Sequence, residues 1–181
     1  MNTDLRHLIP FWAAIFCLGA ILAYAQEDEP AEVRKYREDY EAYQKISAIS
    51  DPAKRGDQLI QFLRERPNSK LAVTAQGNVL SILDGYLKSE NNEALLSTSE
   101  KFIKVRPKVG EAYYCQGLAL KNLKRLDEAM DALAKCYVLK NPISTKAKAL
   151  LDMIYKGQHR GLLSGQEAII AKAKQDVAKL Q

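Results

Sequence analysis

Hydrophobic positions recur at three- and four-residue steps through most of the chain after residue 30, the spacing that lines one face of a helix. Val33, Tyr36, Tyr40, Tyr43 and Ile46 make one such stripe and predict a helix from about Ala31 to Ile49. Asp51-Pro52 restarts the chain: Asp51 suits an N-cap, and proline suits the first helical position, where no amide bond is lost. The helix it opens carries Leu59, Ile60 and Leu63 and stops at Pro67. Asn68 or Ser69 is positioned to cap the next, which runs through Leu80, Leu83 and Leu87 to about Lys88. Ser89-Glu90-Asn91-Asn92 reads as a turn, and a fourth helix spans Glu93 to Val105, before Pro107. Gly110 to Leu123 and Asp127 to Leu139 form another helical pair. Asn141-Pro142 repeats the restart before a helix to about Tyr155. Ser164-Gly165-Gln166-Glu167 has the spacing of a capping box and opens the last helix. The pattern gives eight helices and no strand, an all-α fold.

Composition agrees with that count. The chain has only 9 Gly and 6 Pro, too few for a turn-rich β fold, and its 47% hydrophobic and 27% charged residues describe an ordinary folded domain. The first 25 residues stand apart. Leu8 to Ala23 is an apolar run broken only by Pro10 and Gly19; Arg6 precedes it, with Asp4 offsetting the charge, and Ala23-Tyr24-Ala25 supplies a small-x-small site. This is the pattern of a secretory signal peptide cleaved after Ala25, leaving an acidic, disordered leader at residues 26–30. The expected location is the periplasm or the medium. The alternative is an uncleaved membrane anchor, against which stands a run shorter than the roughly 20 residues of a span. Cys17 follows the bulky Phe16, which argues against lipidation.

Prolines close helices at positions 67, 107 and 142, spacings of 40 and 35. Two helices per interval of this length suggest a repeat array. The clearest unit runs from Gly110 to Pro142 and resembles the tetratricopeptide repeat. Counted from Gly110, Tyr113 falls on the family's large aromatic position, Gly117 on its small one and Leu120 on the next large one. Leu126-Asp127-Glu128-Ala129 matches the turn into the second helix, with Ala129 at a small position, Leu133 at a bulky one and Cys136 at the last small one. A glycine or alanine lets two helices approach, and the large side chains fill around that contact. Gln116, where leucine is usual, Cys136 for alanine, and a proline one residue late depart from the pattern. In the preceding unit, counted from Lys70, Gly77 and Leu80 take the places of Gly117 and Leu120, with about six extra residues between its helices. Residues 31–67 make a degenerate unit and 143–180 a fourth or a capping pair. Arg66-Pro67-Asn68-Ser69-Lys70-Leu71-Ala72 is similar to a joint common in tetratricopeptide proteins of the bacterial envelope.

The resemblance implies a right-handed solenoid that binds a peptide or protein partner along the first helix of each hairpin. Carried onto this chain, the family's groove positions are Thr74 and Asn78 in one unit and Glu111, Tyr114, Leu118, Lys121 and Asn122 in the next, with Lys148 and Asp152 continuing the surface. Asn78, Lys121 and Asn122 suit a peptide backbone or carboxylate.

Catalytic equipment is sparse. Removal of residues 1–25 takes His7 and leaves His159 alone, so multi-histidine metal sites are excluded and one base remains for any triad. His159 sits in a basic, glycine-bounded loop, Gly157 to Gly161. There is no Gly-rich phosphate loop and no CxxC. The carboxylate pairs Glu38-Asp39 and Asp127-Glu128 fall on helix faces or caps, where charge is ordinary. Cys115 and Cys136 lie on successive helices; export permits a disulfide, and small fillers at helix contacts are the other use open to them. No enzyme, cofactor, metal or nucleic-acid partner is expected. The net charge of +5 sits in the last quarter. There Lys140, Lys146, Lys148, Lys156, Arg160, Lys172, Lys174 and Lys179 face only Asp152, Glu167 and Asp176. A second use of this end is therefore a membrane-surface module, with Ile169, Ile170, Ala173, Val177 and Leu180 of the last helix against anionic lipid; packing as a cap on the array uses the same stripe.

Overall fold

The computed structural model describes residues 29–180, and among them every regular element is helical. The expected signal segment, its cleavage site and leader residues 26–28 lie outside the described residues. The helices are α1 Ala31–Ser47, α2 Pro52–Glu65, α3 Ala72–Lys88, α4 Asn92–Val105, α5 Gly110–Asn122, α6 Leu126–Val138, α7 Ser144–Gln158 and α8 Gln166–Ala178. Short polar side chains start several of them. Asp51 Oδ1 accepts the amides of Ala53 (2.8 Å) and Lys54 (3.4 Å) at the head of α2. Asn91 Oδ1 accepts the Ala94 amide at 3.1 Å in α4. These bonds satisfy amides that have no partner inside a helix. Asn141 works at both sides of its turn: its amide donates to the Cys136 carbonyl at 2.8 Å, and its Oδ1 accepts the Ile143 amide at 3.0 Å. The capping box before α8 is half made. Glu167 reaches back to the Gly165 amide at 3.1 Å, but Gly165, with φ of 93°, occupies the cap position, and Ser164 gives only its carbonyl, to the Tyr155 hydroxyl at 2.8 Å.

Each helix packs on the next through α7, and α2 also meets α4, α3 meets α5, and α6 meets α8. The core runs through this file of helices; Leu59, Leu63, Leu83, Leu95, Phe102, Leu133 and Leu151 are its largest fully covered members.

The turns after α3 and α5 share one pattern of backbone hydrogen bonds. After α3 the amides of Ser89, Glu90 and Asn91 donate to the carbonyls of Gly85, Leu87 and Tyr86. After α5 those of Leu123, Lys124 and Arg125 donate to Ala119, Lys121 and Leu120, every number raised by 34. Glu90 and Lys124 take the same left-handed conformation, φ 56° and 65°. This register differs from the expected one. No extra residues separate α3 from α4; the surplus precedes the unit, in the turn after Pro67 and the first turn of α3. Gly77 is therefore not the counterpart of Gly117: it is exposed, and a Cβ there would meet nothing within 4 Å.

In this 34-residue register the pairs α3–α4 and α5–α6 place small and large residues differently. Leu83 stands where the next unit has Gly117, and Ser99 where it has Leu133; Leu95 and Phe102 stand for Ala129 and Cys136. All eight are buried. Leu83 and Ser99 reverse the small and large places of Gly117 and Leu133, while Leu95 and Phe102 are both larger than Ala129 and Cys136, so the contact is filled by a different pattern.

The two ends differ from the middle. The stripe on α1 is not covered along its whole length: Val33, Tyr36 and Tyr40 remain 49%, 42% and 45% exposed. Only the second half of α1 is covered: Ile46 is buried, Tyr43 sits edge-on to Phe62 at 6.2 Å, and buried Asp39 pairs with Arg66 at 3.2 Å. Thus one member of the carboxylate pair expected on a helix face is internal. At the other end α8 lies along α6, held by Lys172–Asp131 (2.7 Å) and Lys135–Asp176 (3.2 Å). Ala173 is buried and Ile169 and Ile170 pack against the core.

Candidate functional site

Helix α5 fixes the centre of the candidate surface. Its inner side is held by a close approach to α6: a Cβ on Gly117 would lie 2.7 Å from Leu133 Cγ and 3.4 Å from the Ala129 carbonyl oxygen. Tyr113, Gly117, Leu120, Ala129, Leu133 and Cys136 are all buried at or around this contact. Glu111, Tyr114, Leu118 and Lys121 follow one another by three and four residues along α5 and are each partly uncovered; Asn122 is exposed at its end. The Asn122 amide donates to Asn92 Oδ1 at 2.9 Å, so it is anchored to the first turn of α4.

The cysteines behind this surface are free thiols. Burial pushes Cys115 up to about 12, and the nearby charges of Asp84, Cys136 and Glu111 add to it. Burial likewise lifts Cys136 to about 11, against hydrogen bonds from Asn141 and the Tyr114 backbone. Burial also raises the Tyr114 phenol. Neither thiol is an activated nucleophile, since the thiolate is the reactive form.

The other expected surface residues are placed differently. Thr74 and Asn78 are both exposed on α3, but the Asn78 amide donates to the Tyr43 hydroxyl and so turns toward α1. By the 34-residue register the α3 counterparts of Glu111, Tyr114, Leu118 and Lys121 are Gly77, Leu80, Asp84 and Leu87. Lys148 and Asp152, on α7, bind each other at 2.6 Å, and Lys148 also reaches Gln166 Oε1 at 3.1 Å. Burial would raise the Asp152 carboxyl, but hydrogen bonds from Lys148 and Gln166 outweigh it and hold it below the ordinary range. This pair is tied to the start of α8. His159 stacks on Tyr155, ring centroids 3.8 Å apart, and its Nδ1 lies 2.9 Å from the Tyr155 carbonyl.

A cleft of about 610 Å³ between the end of α1, the start of α2 and α3 went unforeseen. Its signal in the sequence is the run Ser81, Gly85, Ser89, small residues four apart on one helix side. Among the described residues no helix is long and apolar enough to cross a membrane, and no cluster of three His, Cys, Asp or Glu side chains is arranged for a metal. No protein-family model, curated protein or solved structure matches the chain.

Proposed function

We propose that the protein is an exported, non-enzymatic scaffold built from tetratricopeptide-like hairpins, and that it holds a peptide or protein partner along α3 and α5 in the cell envelope. The observation that carries this reading is the division of α5 into two sides. One side is locked to α6 at Gly117. The other keeps Glu111, Tyr114, Leu118 and Lys121 in line and partly uncovered, beside α3. A rigid helix that presents an aromatic ring, an aliphatic side chain and two opposite charges is suited to an extended or helical segment of a partner. The 34-residue backbone register supports the repeat family, whose unit has that length. The residues offered for contact are Glu111, Tyr114, Leu118, Lys121 and Asn122, continued on α3 by Thr74, Leu80 and Asp84. Lys148 and Asp152 lie at the far end, as a pair.

Crosslinking in the native envelope followed by pull-down tests the reading, with a Tyr114/Lys121/Asn122 triple alanine variant as the comparison. A partner captured by the wild type and lost by the variant, with helical circular dichroism unchanged, is the expected result. Capture of the same proteins by both would overturn it.

A further inference from the structure

The cleft exists because α3 departs from the repeat. In the 34-residue register Ser81, Gly85 and Ser89 correspond to Cys115 and Ala119 of α5 and to Leu123, which caps it. Ala119 is buried, and Cys115 and Leu123 pack against the core. The smaller residues of α3 leave that volume empty, and a Cβ at Gly85 would meet nothing within 4 Å.

The chemistry of the lining is one-sided. Arg55 is its only charged residue; no carboxylate lines it. Arg55 uses Nη1 on the Ile49 carbonyl at 3.3 Å, and no carboxylate among the described residues pairs with it. A guanidinium has five N–H donors, so most remain free. Asn91 spends its oxygen on the Ala94 amide and keeps both amide hydrogens. Asn78 spends one hydrogen on Tyr43 and keeps the other. Tyr86 forms part of the wall; its hydroxyl is itself covered, beside Thr98, and is not among the donors open to the cleft. The nearby acids are occupied: Asp51 caps α2 and Asp57 pairs with Lys101 at 2.7 Å. Unspent donors around one cation are the complement of an oxyanion, and the volume is that of small-molecule sites.

We propose that this cleft binds a small hydroxylated molecule bearing one oxyanion, a carboxylate or a phosphate, with Arg55 as counter-ion. The site is separate from the α5 surface and does not require a protein partner. Its charged end sits against Arg55, and its hydroxyls meet Asn78, Ser81 and Asn91.

The protein isolated from producing cells, in its processed form, is titrated calorimetrically at constant ionic strength with glucuronate and glycerol 3-phosphate. Glucose and glycerol serve as neutral counterparts. Binding of either anion, about tenfold or more tighter than its neutral counterpart, is expected, and which anion binds identifies the charged group. Arg55→Gln is expected to weaken that binding by about tenfold or more. Gly85→Leu, which fills open space on a helix, is expected to abolish it while the melting temperature is kept. The Tyr114/Lys121/Asn122 variant should bind the anion normally, which separates this site from the partner surface. No heat from either anion at roughly 10 mM, a range that detects millimolar dissociation constants, would overturn the proposal, as would equal binding by wild type and Gly85→Leu. If Arg55→Gln does not fold, Gly85→Leu decides alone.

Discussion

Replacement of Gly117 by alanine isolates the contact on which the α5 surface depends. The added Cβ would lie 2.7 Å from Leu133 Cγ and 2.9 Å from its Cδ2. Both are closer than carbon atoms tolerate, and Leu133 is wholly buried in a close-packed core. Overpacking of this kind costs about 1–3 kcal/mol. Alanine in place of glycine inside a helix returns roughly 0.8–1 kcal/mol. The net expectation is a loss of up to about 2 kcal/mol, or as much as about 8 °C in a domain of this size. Gly77→Ala supplies the internal control, because a Cβ there meets nothing within 4 Å and the backbone is helical. It should gain about 1 kcal/mol. The difference between the two variants, roughly 1–3 kcal/mol, is then the steric cost alone. Urea melts read both midpoints with a common slope. A Gly117→Ala/Leu133→Ala double variant should lose less than the sum of its parts, since each change relieves the other. Equal stability of Gly117→Ala and Gly77→Ala would refute the close approach of α5 to α6.

Two further outcomes follow from local chemistry. Asp51→Ala removes the oxygen that accepts the Ala53 and Lys54 amides, and a loss of about 1 kcal/mol is expected in the same melts; a change within error would mean water caps α2 equally well. The raised thiols give a pH dependence. Cys115 and Cys136 stay protonated in the folded chain up to about 12 and about 11, whereas their ordinary value is 9.0. The unfolded chain thus releases protons first, and stability falls as pH rises above about 9, by roughly 1 kcal/mol per pH unit for each thiol. The slope of midpoint against pH between 9 and 11 should be visibly shallower in Cys115→Ala; parallel slopes would show that burial does not protect the thiol.

Periodicity, caps and prolines made the eight helices legible, because a helix is specified by residues near one another in the chain. Asp51-Pro52 sets the start of α2 by its own side-chain oxygen. The small and large residues of the 110–142 unit also showed which side of α5 turns inward, since Gly117, Ala129 and Leu133 lie on adjacent helices joined by a short turn. What the chain alone did not disclose depends on neighbours distant in sequence. The stripe on α1 has an inward pattern, yet among the described residues no element covers Tyr36 and Tyr40. The exchange of Leu83 and Ser99 for Gly117 and Leu133 is made across a contact between two helices, and no single position carries it. For the same reason Gly77 looked like a packing glycine and lies in solvent. The stripe on α8 allowed a lipid contact but more simply a cap; the ion pairs to Asp131 and Lys135 hold it along α6. The cleft is the sharpest case. Ser81, Gly85 and Ser89 are unremarkable small residues until α1 and α2 close around the space they leave and bring Arg55 to it.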